Sequence, residues 1–305
     1  MSDSMRNPDG QANGQDGPFA TLHFERVVDA PSGTLWELWT APAARAIWAS
    51  PARDVRVEFL EAQTRVGGRQ ISSCRVDGSA DMRCEAGWLD LVPGSRTVNY
   101  EVVSQGGVNR SAALVTATIS GSGETSRLHV TVQLSSLEAN LEAGYREGFG
   151  ATLDNLSAAA ERTMVLERVI MAPRAAVWNA WMNPETLPRW WGPDGFSCRT
   201  SRMDLRSGGE WVFDMIAPDG TVFPNHHLYH DVIPQEWFSY SLLWGENGPK
   251  HADAWASFGD VDGGTRVRLC MVFSSAAEFM DARGFGAIEL GHQTLGKLDR
   301  LVTGG

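Results

Sequence analysis

Apolar and polar residues alternate with period two over about 21–29 and again over about 163–171, and each alternation ends at an Ala-Pro step, Ala30-Pro31 and Ala172-Pro173. Such alternation predicts a strand with one buried face. Proline fixes φ and suits a first helical position, so Pro31 and Pro173 are read as helix starts. On these helices Leu35, Trp36 and Trp39, and then Val177, Trp178 and Trp181, sit at i, i+1 and i+4. That spacing builds one apolar stripe and is read as core. Pro42 and Pro184 open a second short helix that ends near Trp48 and Trp190. Strands follow, divided by the turn signals Gly67-Gly68, Asp77-Gly78 and Pro93-Gly94, and later by Gly208-Gly209, Asp219-Gly220, Gly245 to Pro249 and Asp262-Gly263-Gly264. Trp211, Phe213 and Met215 alternate with Val212 and Asp214; Val267, Leu269, Met271 and Phe273 alternate with Arg266, Arg268 and Cys270. Each of these strands is expected to have one buried and one wetted face. Long helices over Leu141 to Glu161 and roughly Ala276 to Val302 complete the pattern, with Ile288, Leu295, Leu298 and Val302 at helical spacing.

The pattern is written twice. Glu25-Arg26-Val27-Val28-Asp29-Ala30-Pro31 recurs as Glu167-Arg168-Val169-Ile170-Met171-Ala172-Pro173, an offset of 142. The same offset carries Trp36, Trp39, Pro42 and Trp48 onto Trp178, Trp181, Pro184 and Trp190. It also carries Glu147, Thr152, Leu153 and Leu156 onto Glu289, Thr294, Leu295 and Leu298. Matching tryptophans at one spacing establish a tandem duplication. A sheet with one apolar face and a single long amphipathic helix is most economically satisfied when the sheet curls around the helix. The fold class is therefore α+β, two tandem domains of a curved antiparallel sheet wrapped on a carboxy-terminal helix. The boundaries are a disordered tail over 1–19, a first domain over 20–161 and a second over 162–305.

Composition narrows the function. The net charge of −11 argues against nucleic-acid and anionic-membrane partners. No run of apolar residues is long enough for a transmembrane helix, and the amino terminus lacks the basic and apolar regions of a signal peptide. Cys74, Cys84, Cys198 and Cys270 form no C-x-x-C pair and are read as thiols of a reducing cytoplasm. Only Lys250 and Lys297 are lysines, an arginine bias read as that of a GC-rich bacterial genome.

Candidate chemistry concentrates in the second copy, which holds eight tryptophans against four in the first. Trp211, Phe213, Tyr229, Tyr240, Trp244 and Trp255 offer an aromatic wall with polar handles, as a small-molecule pocket requires. The strand facing of His227 and Tyr229 adds hydrogen-bonding groups, and Phe285 and Ile288 of the last helix complete the ligand-binding set. His226 and His230 share one strand face while His227, Tyr229 and Asp231 share the other, so no three converge as zinc requires, and no metal is expected. His292 and Glu289 are the candidates for general acid–base work. No nucleophile elbow or phosphate loop appears, and Gly67-Gly68 and Gly208-Gly209 lack the further glycine of a dinucleotide site, so no cofactor is expected. The first copy's strands are polar (Arg69, Gln70, Ser72, Ser73, Arg75, Asp77), and its pocket is expected to be smaller or degenerate.

The Glu-Arg-x-[Val/Ile]-x-Ala-Pro strand, the Trp-x-x-Trp helix, Gly208-Gly209-Glu210-Trp211-Val212-Phe213, Asp219-Gly220-Thr221-Val222-Phe223-Pro224 and Phe285-Gly286-Ala287-Ile288-Glu289 with Gln293-Thr294-Leu295 resemble one family. It is the activator of heat-shock-protein-90 ATPase homologue-like family of the SRPBCC (START/Bet v 1-like) superfamily. The resemblance covers about 163–302 well and about 21–160 more weakly. It implies a helix-grip fold with a deep apolar pocket between sheet and long helix. It leaves three function classes: a binder of a small hydrophobic or aromatic ligand, mainly in the second domain; a cyclase or hydrolase on a polyketide-like or aromatic substrate, with His292, Glu289, His227 or Tyr229 moving protons; and a co-chaperone-like module. A protein partner or a homodimer is left open by the sequence.

Overall fold

The computed structural model describes residues 19–52, 55–76, 81–136 and 141–304. The tail expected over 1–19 lies outside them except for Phe19, as does the Asp77-Gly78 turn. The first domain runs β1 (Phe19–Val28), α1 (Ser32–Thr40), α2 (Pro42–Trp48), β2 (Val55–Ala62), β3 (Arg69–Val76), β4 (Met82–Val92), β5 (Arg96–Gln105), β6 (Val108–Ser122), β7 (Thr125–Ser136) and α3 (Leu141–Ala160). The second runs β8 (Thr163–Ile170), α4 (Arg174–Met182), α5 (Leu187–Trp190), β9 (Ser197–Met203), β10 (Glu210–Ile216), β11 (Val222–Ile233), β12 (Trp237–Leu243), β13 (Lys250–Val261), β14 (Gly264–Phe273), α6 (Ala276–Phe285) and α7 (Ala287–Thr303). Each domain is one seven-stranded antiparallel sheet, in the order β1-β7-β6-β5-β4-β3-β2 and β8-β14-β13-β12-β11-β10-β9. The topologies are identical, as the repeat requires.

The repeated residues are the scaffold. Pro31 and Pro173 hold nearly the same extended backbone (φ −58, ψ 146 and φ −59, ψ 142) at the caps of α1 and α4. The Trp48 indole N–H donates to the Leu38 carbonyl at 2.8 Å, and Trp190 repeats this to Ala180 at 2.9 Å. Trp39, which donates to Thr97 Oγ1 at 2.9 Å, stacks on Trp48, and Trp181 meets Trp190 edge-on, so the pairs fill each core. The Gly-Gly turns have a backbone reason. Gly67 and Gly208 adopt φ +73 and +75, and a Cβ on Gly68 or Gly209 would stand 2.5 Å from the Gln63 carbonyl or 2.1 Å from that of Asp204. The turns dock on the sheet through Gly67 N–H to Trp88 O and Gly208 N–H to Tyr229 O. That pair of bonds puts Trp88 and Tyr229 at equivalent places.

Three expectations change. The closing helix of the second domain is two helices, because Gly286 takes a left-handed conformation (φ +87) between α6 and α7. The second small helix of that domain starts at Leu187 rather than at Pro184. The outer faces of β13 and β14 are not wetted throughout: Trp255, Cys270 and Val272 are buried in the core of the first domain, whose α1 and α2 lie against β8 and β13. Glu37 of α1 accepts from the Trp255 indole N–H at 3.1 Å and lies 3.5 Å from Arg268. Among the described residues no helix is long and apolar enough to cross a membrane.

Candidate functional site

Directly opposed residues of neighbouring strands share a face, and so do residues two apart along a strand. On the concave face of the second sheet the register sets Trp211, His227 and Leu242 in one row, and Tyr229 opposite Tyr240 two residues further along β11. Phe213 lies beside them, its ring stacked on Trp211 at 3.7 Å. His227 stacks on Tyr240 at 4.3 Å and meets the edges of Phe213, Trp211 and Trp191 at 5.1–5.5 Å. Trp211, Phe213, His227, Tyr229 and Tyr240 are thus brought together, all buried.

In this wall the Trp211 indole N–H donates to Thr200 Oγ1 at 3.1 Å, but three other polar side chains have no protein partner. His227, Tyr229 and Tyr240 are each at most 3% exposed, yet none makes a hydrogen bond with any described residue. Burial pushes the imidazole pKa down to about 3 and both phenol pKa values up. All three are neutral across the physiological range, and the imidazole holds one donor and one acceptor. A buried polar group left unpartnered costs about 1–3 kcal/mol. The polar atoms of these three are not fully closed off, so an external partner, water or ligand, can reach them.

The other sequence-predicted residues lie elsewhere. Trp255 faces outward into the domain interface, because alternation on β13 turns Ala254, Ala256 and Phe258 toward the concave side. Trp244 is exposed at the β12–β13 hairpin with His251 at 4.4 Å, and Phe285 and Ile288 are exposed at the α6–α7 corner. The core stripe of α7 begins later than Ile288: the helix touches the sheet at Gly291, where a Cβ would meet Leu166 at 2.3 Å, and burial starts at Thr294. Glu289 is exposed to solvent and not set in an apolar cleft, and His292 is half-buried on the same helix. Asp231 leaves the face of His227 and Tyr229 because the β11–β12 register shifts between Tyr229 and Val232. His226 pairs with Glu210 at 2.8 Å, His230 with Ser241 at 2.9 Å, and His251 lies 3.8 Å from Glu278. Among the described residues no three of His, Cys, Asp and Glu form a metal-holding group.

The sequence reading missed a polar constellation in the first domain. There the register sets Gln70, Ala86 and Glu101 in the row equivalent to Trp211, His227 and Leu242. Ser72 and Cys84 occupy the places of Phe213 and Asn225. Arg45 of α2 donates to Gln70 Oε1 and lies over the Phe59 and Trp88 rings at 4.9 and 5.7 Å. Tyr145 of α3 donates to the Glu101 carboxylate. Burial lowers the pKa of Arg45, raises those of Glu101 and Tyr145, and pushes the Cys84 thiol up to about 12, which leaves it a poor nucleophile. Part of the signal was available: the offset of 142 sets Arg45 on Leu187, charge at a core position, whereas the match of Glu101 to Leu242 follows from strand register.

One large open volume lies on neither concave face. It is a cleft of about 1880 Å³ between the domains, bounded by α1, α2 and β2 on one side and the outer faces of β11 to β14 on the other. His230, Ser241, Asp253 and Lys250 run across that outer face in one chain of hydrogen bonds. Ser241 spends its proton on Asp253 at 2.7 Å and accepts from His230, so the imidazole does not activate the hydroxyl. The cleft has polar lining without the order of groups that acyl transfer needs.

Solved structures to which the chain is similar each match about half of it. Protein Ms6760 of Mycobacterium smegmatis is 24% identical over 48% of this chain and 94% of its own, with a TM-score of 0.45. Protein NE0264 of Nitrosomonas europaea is 26% identical over 47% and 96%, TM-score 0.43. Mll3558 of Rhizobium loti is 26% identical over 46% and 96%, TM-score 0.42. No curated protein matches the chain. The model of the Activator of Hsp90 ATPase homolog 1-like protein family matches twice, over residues 29–161 and 171–303. With two matched domains, two sheets of one topology and one scaffold of tryptophans and Gly-Gly turns, the chain belongs to the Activator of Hsp90 ATPase homolog 1-like protein family as a tandem of its domain.

Proposed function

We propose that the protein binds a small apolar or aromatic molecule on the concave face of its second domain, between the sheet and α7. The observation that carries this reading is the buried trio His227, Tyr229 and Tyr240, without protein partners in an aromatic wall. A flat ligand would stack on the rings and take two or three hydrogen bonds from neutral groups, so an uncharged or weakly polar aromatic fits best. Entry is assigned to the α6–α7 corner, where Met280, Phe285 and Ile288 are exposed and Gly286 breaks the helix. Family membership is consistent with a binding role, toward a small ligand or a protein. Four free thiols suit a reducing compartment, and a cytoplasmic location is part of the reading.

Native mass spectrometry of the freshly purified chain, followed by thermal shift with neutral aromatics such as naphthol and flavone, tests it. Binding should raise the melting temperature by mass action. His227→Ala and the pair Tyr229→Phe with Tyr240→Phe should weaken it about tenfold or more. Ligands that bind both variants as tightly as the unchanged chain would overturn the assignment.

A further inference from the structure

The concave face of the first domain carries the opposite chemistry on the same scaffold. Where the second domain has Trp211, Phe213, His227 and Leu242, the first has Gln70, Ser72, Ala86 and Glu101. At these four places the side chains are smaller, and Arg45 reaches over the face from α2. Arg45 and Glu101 are ringed by protein, yet each retains accessible surface, as groups lining an internal space do.

Arg45 is under-used. Its guanidinium has five N–H donors. Among the described residues its one hydrogen-bond acceptor is the neutral amide oxygen of Gln70, and its other close neighbours are the Phe59 and Trp88 rings. Glu101 is near enough to act on Arg45 electrostatically but does not contact it: the carboxylate is held by Tyr145 from α3. A second donor on this face is idle. Trp88 is 3% exposed and its indole N–H is buried without an acceptor. A guanidinium between two aromatic rings, beside a free indole N–H, fits a planar anion.

We propose that the concave face of the first domain is a second ligand site, for a small molecule with a carboxylate on an aromatic or other apolar body. The carboxylate pairs with the free edge of Arg45, and the body lies against Phe59 and Trp88. Glu101, fixed by Tyr145, meets a hydroxyl or N–H on the ligand and disfavours a second negative charge there. The Cys84 thiol is protonated beside them, so the site binds and offers no nucleophile.

Calorimetric titration of the full chain with benzoate and phenylacetate, each beside its amide, tests the proposal. The acids should bind at least about tenfold more tightly than the amides, the effect of a charge-assisted pair. Arg45→Leu should bring the acids down to the amides. That variant should fold, because the second domain has Leu187 at the equivalent position. Arg45→Lys should be intermediate. His227→Ala, which breaks the second-domain site and matches Ala86 of the first, should leave acid binding unchanged, so the two proposals fail separately. The site is overturned if acids and amides bind alike, if neither binds at millimolar concentration, if Arg45→Leu keeps full acid affinity, or if His227→Ala abolishes it.

Discussion

The two concave faces have the same strand order and the same Gly-Gly docking turns, yet one is an aromatic wall and the other a polar recess. The difference sits in a few columns of the repeat: Gln70 against Trp211, Ser72 against Phe213, Ala86 against His227, Glu101 against Leu242 and Arg45 against Leu187. The scaffold positions, Trp39 with Trp181 and Trp48 with Trp190, did not diverge. Duplication kept what folds the sheet and rewrote what faces the inside. Two copies that fold alike then present different chemistry within one chain.

The largest effect should come from forcing one face to carry the other's residue. Trp211→Gln puts the Gln70 side chain into a fully buried site between Phe213 and His227. It removes an indole and buries an amide, and about 4 kcal/mol or more of second-domain stability should be lost. Urea unfolding, followed separately for each domain because a two-domain chain need not unfold in one step, measures it. A loss below about 1 kcal/mol would mean that the wall is loose and that the two faces differ less than their residues indicate.

How much of this contrast the sequence discloses depends on what kind of residue carries it. The duplication, both sheets and the shared faces of Trp211 with Phe213 and of His227 with Tyr229 follow from period and offset. Trp255 misleads because alternation says which residues share a face and not which face meets another domain; its side of β13 is buried by α1 and α2 instead of by a ligand. Ile288 and Glu289 mislead because the helix breaks at Gly286 and reaches the sheet only near Gly291. Asp231 is displaced by a register shift that no local pattern announces. Arg45 and Tyr145 stand on helices, far along the chain from Glu101. Only the folded sheet brings them to one place, although reading the two copies column by column exposes the charge.

A smaller effect, in pH, has opposite signs on the two faces. His227 is neutral in the fold with its pKa near 3, against about 6.5 when unfolded. Between those values the unfolded state binds more protons, so stability is full above pH 6.5 and falls as the pH drops. By pH 4.5 the second domain should lose about 2–3 kcal/mol through this group, and His227→Gln should flatten the profile. Glu101 acts in reverse: burial raises its pKa, the folded state binds the proton better, and the first domain gains stability as the pH falls toward the carboxylate range. Acid unfolding curves resolved by domain should therefore cross. If His227→Gln leaves the acid limb unchanged, the imidazole is hydrated and the wall is open to water.

The smallest effect on stability should carry the most information on binding. Phe285 is 65% exposed, next to the Gly286 break and outside the second-domain core. Phe285→Ser should change stability by no more than about 0.5 kcal/mol, as surface substitutions do. If the α6–α7 corner admits the second-domain ligand, the same change alters the rate at which neutral aromatics enter and leave. Acid binding to the first domain, whose closing helix is the unbroken α3, should not respond. Stopped-flow measurement of both ligands on the one variant separates these outcomes. Equal kinetic change for both would place Phe285 outside any single entrance, and no change in either would leave its exposed ring without a binding role.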